Sequence, residues 1–168
     1  MSNQLAVLFP GIGYHIDKPL LYYSAKLARA HGCDLLAVQY PALPTGLRGH
    51  AEKIEQAVQT ALSAAEEQLA AIDWTAYDRV FFLSKSIGTA IAARYAVQHN
   101  IHPRQVYYTP IEQALPYLDP TGIAFHGTAD PWADTEMIIN GCRKIGIPLY
   151  LTENANHSME TGDTLHDI

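Results

Sequence analysis

The sequence predicts an α/β fold of three layers, with a mostly parallel six-stranded sheet held between helices. Three observations predict it. Short apolar runs alternate with longer helical patterns along the 168 residues. The runs are continuous rather than alternating, as in strands buried on both faces of a parallel sheet. No internal repeat, low-complexity tract or linker interrupts the alternation, so right-handed strand–helix–strand crossovers are expected throughout.

The elements follow in order. Leu5 to Phe9 is a buried strand, stopped by Pro10-Gly11. Lys18 to His31 has helical spacing, and Gly32 ends it. Asp34 to Tyr40 holds the second strand, ended by Pro41. Glu52 to Ala71 is a long helix with Ile54, Val58, Ala61, Leu62, Ala65 and Leu69 on one face. Arg79 to Leu83 holds the third strand, and Ile87 to His99 is a helix of small residues. Gln105 to Thr109 and Gly122 to His126 are the fourth and fifth strands. Thr135 to Ile145 is a helix closed by Gly146, and Pro148 to Thr152 is the sixth strand. Pro41 to His50 and Pro110 to Thr121 read as loops.

Composition narrows the function. With 48% hydrophobic and 17% charged residues the chain can bury a core, and one domain spanning 1–168 is expected. The net charge of −6, with no cluster of Lys or Arg, argues against nucleic acid and against an anionic membrane surface. Leu5 to Phe9 is too short for a signal or a span, so a cytoplasmic protein is expected. Cys33 and Cys142 lack metal or redox spacing and read as reduced thiols at helix ends. Eight scattered histidines without an HExxH pattern predict no metal, and no cofactor is expected.

The chemistry starts at Phe81-Phe82-Leu83-Ser84-Lys85-Ser86-Ile87-Gly88. A buried strand ends, the chain turns sharply, and a helix begins at once. This is the context of a nucleophile elbow centred on Ser86. Residues two before and two after must be small, and Ser84 and Gly88 satisfy that. An ordinary turn with Ser86 as helix cap competes with this reading. A phosphate loop does not, because Arg79 and Ser84 stand where that motif needs glycine. The fifth strand runs into His126-Gly127-Thr128-Ala129-Asp130-Pro131-Trp132, which sets an acid just past a strand end. The sixth runs into Asn154-Ala155-Asn156-His157-Ser158. Ser, Asp and His thus follow successive strand ends in an order suited to a nucleophile, an orienting carboxylate and a base.

On these residues the sequence resembles the α/β-hydrolase superfamily, in particular its small lidless members similar to dienelactone-hydrolase-like esterases. The resemblance runs from Leu5 to about Met159. It departs in Ser84, where the family's elbow usually has glycine, and in beginning at what looks like the family's third strand. The resemblance implies the sheet order 2-1-3-4-5-6, with no separate lid domain. The second strand is then an edge, open to a second copy or covered by the 41–50 loop, so a monomer or a homodimer is expected.

That order sets the loop Pro10-Gly11-Ile12-Gly13-Tyr14-His15 beside Ser86. It implies an oxyanion hole from the backbone N–H groups of Ile12 and Ile87, with Gly13 as the neighbouring alternative to Ile12. A dinucleotide loop at Gly11-Ile12-Gly13 is excluded by Ile16. Gly13, Tyr14, His15, Tyr108, Pro110, Ile111 and Trp132 lie near strand ends and are the tentative pocket. Lys85 joins them either as a solvated charge or as an attractor of anionic substrates. The expected activity is acyl-enzyme hydrolysis of a small ester, thioester or lactone. The alternative is a non-catalytic binding or scaffold protein of the same fold.

Overall fold

The computed structural model describes residues 3–167. Six strands, β1 (Gln4–Phe9), β2 (Cys33–Ala37), β3 (Arg79–Lys85), β4 (Arg104–Tyr108), β5 (Ile123–Gly127) and β6 (Leu149–Thr152), form one sheet in the order β2-β1-β3-β4-β5-β6. All of its neighbouring pairs run parallel. The helices are α1 (Pro19–Ala30), α2 (Ala51–Leu69), α3 (Ile87–Gln98), α4 (Thr135–Ile145) and the short α5 (Thr164–Asp167). The strand order and the three layers are those expected from the sequence.

The layers follow from alternation along the strands. Leu5, Val7 and Phe9 of β1 face one core with Phe82, Tyr107 and Ala124, covered by α2, α3 and α4. Ala6 and Leu8 face the other way and pack with Leu21 of α1 and with Leu83. β1 and β3 are central, so successive residues on them are buried on both sides, and their sequences read as unbroken apolar runs.

Helix α3 carries the turn at Ser86, and it is the most enclosed helix: Ile87 to Ala96 are all buried. That is why its sequence is small-residue and not amphipathic. Arg94 fixes it to α2 through two hydrogen bonds to the Glu55 carboxylate, at 2.6 and 2.7 Å. Their mutual hydrogen bonding holds Glu55 down at about 2.

Three expectations need correction. Cys33 opens strand β2 and does not end a helix, while Cys142 lies inside α4; both are buried free thiols. The 110–121 segment is not plain loop: Glu112–Tyr117 is a 3-10 helix containing Pro116, packed beside α3. β3 runs two residues further than read, to Lys85, because Ser84 and Lys85 pair with Tyr107 and Tyr108 of β4. The segment after β2 is tied down by Gln68, which accepts from Gln39 N–H at 2.9 Å and donates to its carbonyl at 2.7 Å. Among the described residues no helix is long and apolar enough to cross a membrane.

Candidate functional site

Ser86 sits between β3 and α3 with φ 56° and ψ −123°. A serine pays for this conformation, on the order of 1–3 kcal/mol. Ser86 occupies the N-cap position, yet its hydroxyl caps nothing. Its oxygen instead lies 2.8 Å from His157 Nε2. The ordinary-cap reading therefore fails: the hydroxyl is turned away from the helix it precedes.

The small neighbours have distinct reasons. A Cβ on Gly88 would stand 2.1 Å from the Phe9 carbonyl oxygen and 2.7 Å from that of Pro10. Only glycine lets the first turn of α3 press against the end of β1. Ser84 tolerates its extra atoms because its fully buried hydroxyl donates to the Val106 carbonyl of β4 at 2.9 Å. The unusual residue of the elbow thus satisfies its own polarity.

Asp130 and His157 arrive on the two loops beyond β5 and β6. Gly127 makes this possible, since a Cβ there would stand 2.2 Å from the Ala155 carbonyl oxygen. The 155–157 segment can then lie directly against the end of β5, where Ala129 N–H donates to Ala155 O at 3.0 Å. Asn156 Oδ1 accepts from Ser158 N–H at 2.7 Å and braces the far side of the loop. Asp130 Oδ1 accepts from Trp132 N–H at 2.8 Å, and Oδ2 lies 2.7 Å from His157 Nδ1.

The electrostatics are consistent with this chain of bonds. Burial by itself would raise the Asp130 carboxyl, but the bond and charge of His157 and the Trp132 N–H outweigh it, and Asp130 is held low. An ionised Asp130 accepts a proton bond from Nδ1, which leaves Nε2 with a free lone pair toward Ser86. Burial lowers His157, the Asp130 bond opposes this, and the Lys85 charge lowers it further. The imidazole is therefore neutral at neutral pH. His126, fully buried, donates to or accepts from Thr135 Oγ1 at 3.0 Å and lies 3.7 Å from Asp130 Oδ2. Nothing in the residues around His126 signals this second histidine beyond its place in the strand.

Gly11 and Tyr14 close a tight turn by mutual backbone bonds of 3.1 and 3.3 Å. Those bonds leave the Ile12 N–H unused, and Gly13 takes the positive φ of 68° that the turn requires. A Cβ on Gly11 would lie 3.2 Å from Ser86 Cβ, so the turn abuts the serine. Ile87 is the first residue of α3, and its N–H has no partner within the helix.

A cleft of about 420 Å³ opens beside this turn, lined by Gly11, Ile12, Gly13, His15 and Ile16 on one wall and Val38, Tyr40, Pro41 and Leu43 on the other. Of the tentative pocket residues, Gly13 and His15 line it. Trp132 does not line it; it is exposed, with its ring 5.7 Å from the His157 ring. The others are corrected. Pro110 and Ile111 are buried, Ile111 in the main core. Tyr108 points toward α1, with its hydroxyl 2.9 Å from Ser24 Oγ. Tyr14 is buried and accepts from Leu20 N–H at 3.1 Å. Lys85 is fully buried, so it is neither a solvated charge nor a surface attractor. The wall from Val38 to Leu43 was missed because it lies beyond β2, far in sequence from the Ser86 turn. Among the described residues no cluster of three or more His, Cys, Asp or Glu side chains could hold a metal ion.

No protein-family model and no curated protein sequence matches the chain. Solved structures do. The esterase Pf2001 of Pyrococcus furiosus aligns with a TM-score of 0.63 at 12% identity, over 93% of this chain and 75% of that one. A lidless alpha/beta serine hydrolase from Xanthomonas campestris aligns at 0.62 and 13%, over 94% and 74%. Est1E of Butyrivibrio proteoclasticus, with ferulic acid bound, aligns at 0.68 and 10%, over 99% and 86%. At such identities the likeness speaks for architecture: with its strand order and three layers, the chain has the α/β-hydrolase fold.

Proposed function

We propose that this protein is a serine hydrolase of small ester-type substrates. His157 takes the Ser86 proton as Ser86 Oγ attacks the carbonyl carbon. Asp130 holds the tautomer and balances the imidazolium that forms. The N–H groups of Ile12 and Ile87 receive the oxyanion. The imidazolium then protonates the leaving alcohol or thiol. Water, deprotonated by His157, clears the acyl-enzyme and restores the Ser86 hydroxyl. An ester, a thioester and a lactone all suit these steps.

One observation carries the reading: a serine in a strained turn spends its hydroxyl on His157 at 2.8 Å while His157 spends its other nitrogen on Asp130 at 2.7 Å. A structural serine at that turn would cap the helix. The apolar walls of the neighbouring cleft, with Ile12, Ile16 and Leu43, support a small uncharged acyl or alcohol group as the bound portion. Labelling with a serine-directed fluorophosphonate, followed by a panel of p-nitrophenyl esters, tests the reading. The wild type should label and the Ser86→Ala variant should not. A wild type that fails to label, or equal labelling of both, would overturn it and favour a binding module of the same fold.

A further inference from the structure

An ester has two halves, and the surroundings of His157 decide which half lies where. In acylation the bond from Ser86 Oγ to the carbonyl carbon forms, and the bond from that carbon to the alcohol oxygen breaks. The proton held at His157 Nε2 passes to the departing oxygen. The alcohol half must therefore lie against the imidazole, within hydrogen-bond reach of Nε2. The cleft of about 420 Å³ is not that place: the turn after β1 and the stretch after β2 line it, and neither His157 nor Trp132 does.

Trp132 stands beside the imidazole instead. Its ring lies 5.7 Å from the His157 ring, inclined by 31°, and among the described residues no other ring pairs with that imidazole. The indole is 39% exposed, a large apolar surface left in water. Its place is fixed, because Pro131 restricts the backbone just before it and Asp130 Oδ1 accepts from the Trp132 N–H at 2.8 Å. The carboxylate that orients His157 thus also orients the indole next to it. Other aromatic side chains near this end of the sheet are engaged. Tyr14 accepts from the Leu20 N–H, Tyr108 bonds Ser24, and Tyr150 stacks on Phe125. An exposed indole favours a second flat ring, whereas a saturated group gains from it only by contact area.

We infer that Trp132 is the specificity-determining residue of the leaving-group side. Esters of flat aromatic alcohols are the preferred substrates, with the aromatic ring laid on the indole beside His157 and the acyl half directed into the cleft walled by Ile12, Ile16, Tyr40 and Leu43. The inference rests on the hydrolase reading above. It carries a kinetic signature, because the two halves depart at different times. The alcohol is gone once the acyl-enzyme has formed, so Trp132 acts on acylation and not on deacylation. A residue that merely propped His157 would act on both, since His157 also activates the water of the second step.

The test pairs benzyl acetate with cyclohexylmethyl acetate, whose alcohols share a carbon skeleton and differ in flatness. Benzyl butyrate varies the acyl half separately. Trp132→Leu removes the ring, Trp132→Met is the second ring-less variant should Leu fold poorly, and Trp132→Phe keeps a ring. Leu or Met should lower kcat/KM for benzyl acetate roughly three- to tenfold more than for cyclohexylmethyl acetate, and Phe should hold that difference below about twofold. Recovery of activity after carbamoylation by p-nitrophenyl dimethylcarbamate isolates the second step, and its rate in the ring-less variants should match wild type. Ile16→Ala should lower the butyrate-to-acetate ratio of the benzyl esters instead. Equal loss on both acetates, or a recovery rate that falls together with acylation, would overturn the inference and leave Trp132 as a prop for His157. A Trp132 variant that changes the butyrate-to-acetate ratio would overturn the assignment of the two halves. Wild type that labels with fluorophosphonate and hydrolyses both acetates without preferring the flat alcohol sinks this inference alone. Wild type that neither labels nor hydrolyses them brings down the hydrolase reading and this inference with it.

Discussion

The same six strands end in two concavities of opposite character. At their amino ends lies a hollow of about 950 Å³, lined by Trp74, Tyr77, Arg79, His102, Arg104 and Ile123 among others. At the carboxyl ends of β1 and β2 lies the cleft of about 420 Å³, walled on one side by the turn whose Gly11 abuts Ser86. The Ser86–His157–Asp130 chain lines neither space, but the turn that forms one wall of the smaller cleft abuts Ser86. Strand direction explains the difference. In a parallel sheet each strand's carboxyl end leads toward a helix N-terminus, where free N–H groups can meet developing negative charge. The amino ends receive helix C-termini, with carbonyls outward. Volume marks where water can sit, and the orientation of backbone dipoles marks where a carbonyl can be attacked.

That contrast can be broken most severely at the carboxyl end. Ser86→Ala should lower turnover by a factor on the order of 10⁵–10⁶, since among the described residues no other hydroxyl is aimed at His157. Ser86→Gly should do the same while raising stability by about 1 kcal/mol, because glycine adopts φ 56° without the cost a serine bears. A thermal melt of the two variants, compared with the wild type, checks this: Gly should melt about 2–4 °C higher. A glycine variant that melts lower would mean the turn stores no strain. Asp130→Asn should keep the fold and cost on the order of 10⁴ in turnover, as an amide stabilises the wrong imidazole tautomer. Gly88→Ala acts on stability. Its Cβ would force Phe9 and Pro10 from α3, and a loss of about 3 kcal/mol is expected by denaturant titration.

A gentler probe is pH. The active imidazole is neutral, and burial first, then the Lys85 charge, moves His157 below its ordinary value, against the Asp130 bond. Activity should therefore be present above the folded-state value and fall as pH drops through it, with the midpoint of kcat/KM below pH 6.5. An acid midpoint clearly above 6.5 would show that the carboxylate dominates the environment of the base.

How much of this was readable beforehand follows from range along the chain. The elbow was legible because its requirements are local: a strand end, two small neighbours and a helix start all fall within Ser84 to Gly88. Asp130 and His157 were legible by order, each just past a strand end, although Gly127's close approach to Ala155 could not be read from one sequence. Lys85 was misread because lysines are usually solvated, and nothing nearby announces that Tyr14, seventy-one positions earlier, covers it. The cleft wall from Val38 to Leu43 was missed for the same reason: β2 and the Ser86 turn meet only through the topology. Pro110 and Ile111 were placed at the correct end of the sheet but on its inner side, because a 3-10 helix folds their segment onto α3.

The smallest effect expected is at the amino end, and it tests the contrast from the other side. Arg79 and Arg104 are both exposed and line the larger hollow. Arg79 opens β3, seven residues before Ser86 at the turn beyond that strand's other end, which is roughly 20 Å away at about 3.3 Å per residue. Charges that far apart through a solvated rim are screened, since the Debye length is about 8 Å at physiological salt. The double variant Arg79→Ser/Arg104→Ser should therefore leave kcat/KM for p-nitrophenyl acetate within about twofold of wild type, and leave the acid midpoint unmoved. Neither arginine makes an ion pair in the fold among the described residues, so little stability should be lost. A tenfold fall in kcat/KM with an unchanged melting temperature would mean the larger hollow communicates with the chemistry, and the division between the two ends would have to be abandoned.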